Sequence, residues 1–420
     1  MNNITQAVVL CGGLGMRLRP LTDNLPKPMV MVNGSPFLHH LLKQLSEQGI
    51  SRFVLLTGYL GEKISDYFGD GTRFGWSIIY SHGPVEWDTG RRIWEGKDLY
   101  DPQFLLMYSD NFVQFNLHKL SRLHKNLGSP ITLLLAHKEK GNIKASAEGV
   151  IEAYDKTRNG FGFDYVEVGY MIIERDQVLS HFHLISSDFN FNFSAILHLF
   201  AEQKNMAGLV IYDPYHSISD TDRLALTCKY LEPKKILLID RDGTINVKAP
   251  KGEYISIWEG FTWINETRLA LSNLAREGFK FIIITNQAGI SRGMLTTSAL
   301  EDIHQNMVNS LLEDGIEVLR IYTCPDHWDQ NSFRRKPSPG MFFEASKDFN
   351  LRLDHCLYVG DDERDCQAAA NAGCGMVYLT PYNDELSLDP TSTPLFVSKT
   401  LEDSLDAIKN AYSNWAKTDV

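Results

Sequence analysis

Two groups of residues in this chain have the types and spacing that phosphate chemistry needs. One is Asp240-Arg241-Asp242-Gly243-Thr244, which sets two carboxylates two residues apart at the end of the apolar run Ile236-Leu237-Leu238-Ile239. A first aspartate can attack phosphorus and carry it as an aspartyl-phosphate; a second can protonate the leaving oxygen and then activate water. Thr285 can hydrogen-bond the transferring phosphoryl group, and Lys336 can neutralise it. Gly360-Asp361-Asp362-Glu363-Arg364-Asp365 adds the acidic oxygens that a Mg²⁺ site requires. The other group is Gly12-Gly13-Leu14-Gly15-Met16-Arg17-Leu18, followed by Pro26-Lys27-Pro28. Glycines at 12, 13 and 15 let the main chain run close to phosphates and offer its N–H groups. Arg17 and Lys27 bring positive charge for the β- and γ-phosphates of a nucleotide. Taken alone, such a loop is as often a plain tight turn.

The elements that must position these groups follow an α/β pattern, short apolar runs alternating with amphipathic stretches. Ala7-Val8-Val9-Leu10 predicts a buried strand ending in the glycine loop, and Phe37 to Gln48 a helix with Leu38, Leu41, Leu42 and Leu45 on one face. Phe53–Leu56, Phe104–Tyr108 and Ile131–Ala136 predict further strands, the second delivering Ser109-Asp110. Leu224 to Tyr230 predicts the last helix of a first domain, and Glu232-Pro233-Lys234-Lys235 a short polar joint. Beyond it, Ile236–Ile239 delivers Asp240, Phe281–Ile284 delivers Thr285-Asn286, and Cys356–Val359 delivers Gly360-Asp361. Polar residues at the carboxyl ends of buried strands are where open α/β sheets place ligands. The aromatic cluster around Trp258 is read as packing, and Glu402 to Asp406 as a solvated helix start.

At 420 residues the chain exceeds one ordinary core, so two domains are expected. A net charge of −11 argues against nucleic acid as a partner and concentrates the basic residues at anion sites. Six cysteines without regular pairing read as reduced thiols. The start of the sequence has no leader pattern, and no apolar run reaches the length of a membrane span. A cytoplasmic setting is therefore expected. Nothing in the pattern selects between a monomer and a homo-oligomer.

The string from Leu10 to Thr22, with Pro26-Lys27-Pro28, resembles the signature of the sugar-1-phosphate nucleotidyltransferases, which include mannose- and heptose-1-phosphate guanylyltransferases. In that family a sugar 1-phosphate attacks the α-phosphate of a nucleoside triphosphate and pyrophosphate leaves. The resemblance implies a Rossmann-like, GT-A-like mixed sheet over residues 1–231, with Leu10, Gly12, Gly13, Gly15, Arg17 and Lys27 at the nucleotide. Arg17 and Lys27 would act in catalysis. Ser109-Asp110-Asn111 resembles the element whose aspartate holds Mg²⁺. Asp155-Lys156-Thr157 stands where the family has Glu-Lys-Pro, which makes Lys156 a candidate for the sugar phosphate, and Glu167 one for sugar hydroxyls. Two departures stand out. Ser217 occupies the place of a second metal carboxylate, with Asp213 or Asp220 able to substitute only in a shifted register, and the base-and-sugar loop reads Pro84-Val85-Glu86-Trp87-Asp88-Thr89-Gly90-Arg91.

Residues 235–380 resemble the haloacid dehalogenase phosphatase superfamily, which implies its Rossmannoid parallel sheet in a domain over residues 235–415. Asp240 to Asn246, Thr285 to Ile290, Ser291-Arg292-Gly293 and Arg335 to Met341 are similar to the branch holding heptose 1,7-bisphosphate and histidinol-phosphate phosphatases. The resemblance implies that Asp240 is the nucleophile, Asp242 the acid/base, and Asp240, Asp242 and Asp361 the Mg²⁺ ligands. Thr285, Asn286, Arg292, Arg335 and Lys336 would contact the substrate. Of the zinc loop common in that branch, Cys324 and His327 remain while Ser332 and Arg334 replace the second pair, so zinc is not expected.

Together the two resemblances imply one bifunctional enzyme of nucleotide-sugar biosynthesis. It would remove the 7-phosphate of D-glycero-D-manno-heptose 1,7-bisphosphate, then transfer a nucleotidyl group, GMP from GTP, to the heptose 1-phosphate. Alternatives are a phosphatase beside a silent sugar-phosphate-binding domain, or a mannose-1-phosphate type transferase joined to a histidinol-phosphatase-like domain.

Overall fold

The computed structural model describes residues 4–155, 162–380 and 390–417. The chain divides into two compact units, which meet in sequence at Leu231 and Glu232.

The first unit is built on a nine-stranded mixed sheet. Four parallel strands form its centre, in the spatial order Ser77–His82, Arg52–Thr57, Gln6–Cys11, Gln103–Tyr108. Gln6–Cys11 is buried at every position because both of its faces are covered. Ala7, Val9 and Cys11 pack with Leu38, Leu41, Leu42 and Leu45 of the helix Phe37–Glu47; Val8 and Leu10 pack into a second core with Leu197 and Phe200 of the helix Ser194–Glu202. The carboxyl ends of all four strands share one edge of the sheet, where the glycine loop and Ser109-Asp110 follow. Tyr165–Glu174 runs antiparallel beside Gln103–Tyr108, so its beginning, with Glu167, reaches that same edge. Ile131–His137 and Met206–Ile211 complete that side. The unit's last helix is Thr221–Leu231, longer at its start than the apolar pattern indicates because Thr221 and Asp222 are polar first-turn residues.

The second unit has a six-stranded sheet, parallel throughout, in the order Val318–Cys324, Lys280–Asn286, Ile236–Ile239, Leu357–Gly360, Gly375–Leu379, Phe396–Ser398. The chain order reverses between Ile236–Ile239 and Leu357–Gly360, which opens a crevice beyond their carboxyl ends. Asp240 and Asp361 are the residues that follow those two strands. Ile239 and Val359 face one core, Leu238 and Tyr358 the other. Trp258 is a packing residue, its ring 4.8 Å from that of Phe261. The acidic stretch at Glu402 opens a short helical turn that leads into the helix Leu405–Ala416. All six cysteines are free. Among the described residues no helix is long and apolar enough to cross a membrane.

Candidate active sites

In the second unit the backbone N–H of Asp240 donates to the Val359 carbonyl at 2.8 Å, which ties the two strand ends together. The Lys336 ammonium, 4% exposed, donates to Asp240 Oδ1 at 2.7 Å, to the Tyr358 hydroxyl at 2.7 Å and to the Ile284 carbonyl at 3.1 Å. It also lies 2.8 Å from Asp365 Oδ1. Asn286 fixes the main chain of Lys336, donating to its carbonyl at 3.0 Å and accepting from its N–H at 3.1 Å. Burial works against the lysine's charge, but Asp240 and Asp365 outweigh it and push its pKa up to about 12. Burial raises the Asp240 pKa, with Asp365 and Asp361 adding to the rise and Lys336 opposing it. Carboxylate oxygens of Asp240, Asp361 and Asp365 all lie within 4.8 Å of one another. Such crowded hard oxygens suit Mg²⁺, and the residues present fit that ion. Asp361 is also 2.6 Å from the Lys248 ammonium. Gly243 belongs to this cluster by necessity: its φ is +92°, and a Cβ there would collide with the Asp361 carboxylate.

Asp242 faces a different set of partners. Its carboxylate accepts from Arg241 at 2.8 Å, Asn246 at 3.0 Å and Gln287 at 2.7 Å. Burial works to raise its pKa, yet Arg241 and the two amides hold it below the ordinary value. Arg241, 1% exposed, in turn meets His304 Nε2 at 3.0 Å. Burial and that guanidinium push the His304 pKa down to about 3, so the neutral ring accepts from Arg241. The crevice has a volume of about 240 Å³, with Thr285, Asn286, Arg335 and Lys336 in its wall.

In the first unit a cleft of about 780 Å³ opens at the sheet edge, lined by Leu10, the glycine loop, Arg17, Lys27, Asp110 and Glu167. Lys27 Nζ and Asp110 Oδ2 form an ion pair at 2.8 Å. Beneath the loop lies Arg92, 5% exposed, whose guanidinium donates to the Thr57 carbonyl at 2.7 Å and the Pro84 carbonyl at 2.6 Å. It packs so closely that a Cβ on Gly12 would collide with it.

The family model described as Nucleotidyl transferase matches residues 6–160, and the one described as Polynucleotide kinase 3 phosphatase matches residues 235–373. The D-glycero-beta-D-manno-heptose-1,7-bisphosphate 7-phosphatase of Yersinia pestis is 32% identical over 183 residues, covering 42% of this chain and 96% of that protein. The chain belongs to this heptose-bisphosphate phosphatase family. A Probable glucose-1-phosphate cytidylyltransferase of Bacillus subtilis is 35% identical over 149 residues, which are 30% of this chain. The chain spans 59% of that relative's length. A crystal structure of D,D-heptose 1.7-bisphosphate phosphatase from B. bronchiseptica, complexed with magnesium and phosphate, is 27% identical and covers 42% of this chain and 98% of that one, with a TM-score of 0.38.

Within the phosphatase family's segment, the structure brings Asp240, Asp361 and Lys336 together and turns the Asp242 carboxylate toward Arg241. The side chain of Asn286 is engaged with the Lys336 backbone, and Thr285 accepts from Gln287 at 2.9 Å. Arg292 sits beside the crevice, its guanidinium 5.6 Å from the ring of Tyr254 and 5.7 Å from that of Trp328. Arg335 donates to the Asp326 carbonyl at 3.0 Å. Around Cys324, its Sγ is 3.5 Å from Asp326 Oδ2, the His327 N–H donates to Gln330, and Arg334 pairs with Glu344 at 2.7 Å. Lys156 lies outside the described residues. Asp213 is 3.4 Å from the Tyr230 hydroxyl, and Asp220 accepts from the Arg223 backbone N–H at 2.9 Å. Lys248, Arg92, Lys138 and Arg223 line the sites without having been legible as site residues. Each is a lone cation in an unremarkable stretch, and only the fold carries it to the cleft.

Proposed function

We propose that the chain carries two activities that act in succession on one phosphorylated sugar. The second unit removes the 7-phosphate of D-glycero-D-manno-heptose 1,7-bisphosphate; the first transfers a nucleotidyl group, GMP from GTP, to the resulting heptose 1-phosphate. The observation that carries the reading is the buried contact of Lys336 with Asp240, beside Asp361 and Asp365.

Lys336 favours the ionised form of the nucleophile against the cost of its burial. The Asp240 carboxylate attacks phosphorus, the P–O7 bond breaks, and the leaving oxygen takes its proton from Asp242, which must first swing off Arg241 and pick up a proton from water. Water then gives a proton back to Asp242 and attacks phosphorus of the aspartyl-phosphate, breaking its P–O bond to Asp240 and releasing phosphate and the free carboxylate. Arg241, backed by His304, sets the orientation of Asp242 between these steps. Mg²⁺ held by Asp240 and Asp361 would neutralise phosphoryl oxygens. Arg335 and Arg292 supply charge for the second phosphate.

In the first unit an oxygen of the sugar phosphate attacks the α-phosphorus, and pyrophosphate departs with the electron pair of the broken P–O bond. Glycine-loop N–H groups, Arg17 and Lys27 hold the phosphates, Asp110 would hold Mg²⁺, and Glu167 takes sugar hydroxyls. Lys156 is assigned to the sugar phosphate. Nucleotide substrates and free thiols fit a cytoplasmic setting. The test is kinetic: kcat/KM for the heptose bisphosphate should exceed that for histidinol phosphate by about 100-fold or more. GTP should yield pyrophosphate when heptose 1-phosphate is added. Equal phosphatase rates on the two esters, or no pyrophosphate with any nucleoside triphosphate, would overturn the corresponding half.

A further inference from the structure

We propose that Arg223, braced by Ser217 and Ser219, binds the phosphate of the sugar 1-phosphate in the first unit's cleft. This deepens the nucleotidyl-transfer reading and rests on it. Around Ser217, where the resembled family carries a second metal carboxylate, the structure places a guanidinium and two hydroxyls.

Arg223 stands in the first turn of the helix Thr221–Leu231 and lines the cleft together with Ser219. Its Nη1 reaches Ser219 Oγ at 3.3 Å and Ser217 Oγ at 3.4 Å. Both serines are buried, and their hydroxyls meet at 2.8 Å. Only one proton is used between two hydroxyl oxygens, so one O–H remains to donate to an acceptor. The Thr227 hydroxyl pins the Ser217 carbonyl at 2.9 Å.

The position of this group in the cleft follows from the strand pairing. Ser217 is registered opposite Asn111, and the next residue, Ile218, donates its N–H to the Asp110 carbonyl at 3.0 Å. The guanidinium is therefore anchored next to the backbone that presents Asp110. Asp213 lies against Tyr230, while the Asp220 carboxylate holds the helix start and pairs with Arg223 Nε at 3.5 Å, leaving Nη1 with the two serines.

Nucleotidyl transfer brings an anionic phosphate onto an anionic α-phosphate, and a guanidinium between them offsets the repulsion. The glycine loop, Arg17 and Lys27 already serve the nucleotide. Glu167, suited to sugar hydroxyls, shares the cavity with Arg223. With those cations on the nucleotide, Arg223 joins Lys156 in serving the phosphate of the phosphosugar.

The test uses the full chain, with heptose 1-phosphate and GTP as separate calorimetric ligands and pyrophosphate release as the kinetic readout. Arg223→Gln should weaken heptose 1-phosphate at least tenfold and raise its KM more than it lowers kcat. GTP affinity should stay within twofold, which also shows that the unit is folded. Arg223→Lys should recover part of the loss. Unchanged sugar-phosphate affinity in Arg223→Gln, or an equal loss for GTP, would overturn the assignment. If the unaltered chain binds heptose 1-phosphate but releases no pyrophosphate, and Arg223→Gln loses that binding, the transfer reading fails and the Arg223 assignment stands. If the unaltered chain turns over and Arg223→Gln matches it in affinity and rate, the transfer reading stands and the Arg223 assignment fails. A chain that neither binds nor turns over refutes both.

Discussion

Lys336→Met isolates the buried ion pair of Lys336 with Asp240 and Asp365. Methionine keeps most of the side chain's length but removes the charge, leaving Asp240 and Asp365 buried without their shared cation. Breaking a buried pair from one side costs about 3–5 kcal/mol, because the surviving charge has lost both water and partner. For a unit of this size, roughly 2–4 °C is lost per kcal/mol, so the melting temperature should fall by about 6–20 °C. The loss must also depend on pH. Lys336 is the influence that lowers the Asp240 pKa against burial, so removing it raises the folded-state value further. The unfolded value stays near ~3.9. A raised folded pKa means that the folded state binds more protons, and stability then falls as pH rises through that value. The variant should therefore be most destabilised at pH 8 and converge on the unaltered protein as pH approaches 4. Differential scanning calorimetry of the intact chain in chelator gives both quantities. A loss under about 1 kcal/mol at pH 8, or one that grows on acidification, would refute the reasoning.

Asp240→Asn should cut phosphate release by about 10³-fold or more, since the amide cannot serve as nucleophile; pyrophosphate release from supplied heptose 1-phosphate should stay within twofold. Gly12→Ala drives a Cβ into the Arg92 guanidinium, and the displaced loop should weaken GTP binding at least ~10-fold by calorimetry, about 1.4 kcal/mol. Gly243→Ala adds a left-handed strain of roughly 1–2 kcal/mol to a collision with Asp361. It should lower both thermal stability and the Mg²⁺ affinity of the phosphatase unit, read by calorimetric titration.

The parts of the site that lie at strand ends were legible because a buried strand announces itself by an apolar run and hands its next residue to the sheet edge. Asp240, Asp361 and Asp110 were placed at strand ends that way, and the joint at Glu232 falls where the chain divides into its two units. Lys248 and Arg92 were not, because a single cation in a loop or a short helix has no pattern of its own. Arg92 becomes visible only when Gly12 and Gly58 are seen to leave room for its guanidinium. Asp242 shows a different limit: its type and spacing indicate a metal-site acid, but the intervening Arg241 is folded inward and claims the carboxylate. At Ser217 the absence of a carboxylate was readable, whereas its contact with Arg223 required the turn of the helix that brings residues 217, 219 and 223 together.

The most direct measurement follows phosphate and pyrophosphate together after mixing the chain with Mg²⁺, D-glycero-D-manno-heptose 1,7-bisphosphate and GTP. Phosphate should appear first and pyrophosphate after a lag. Asp240→Asn should lose both signals, and addition of heptose 1-phosphate should restore pyrophosphate alone. Pyrophosphate appearing without prior phosphate, or persisting in Asp240→Asn with only the bisphosphate supplied, would contradict the ordered use of the two sites.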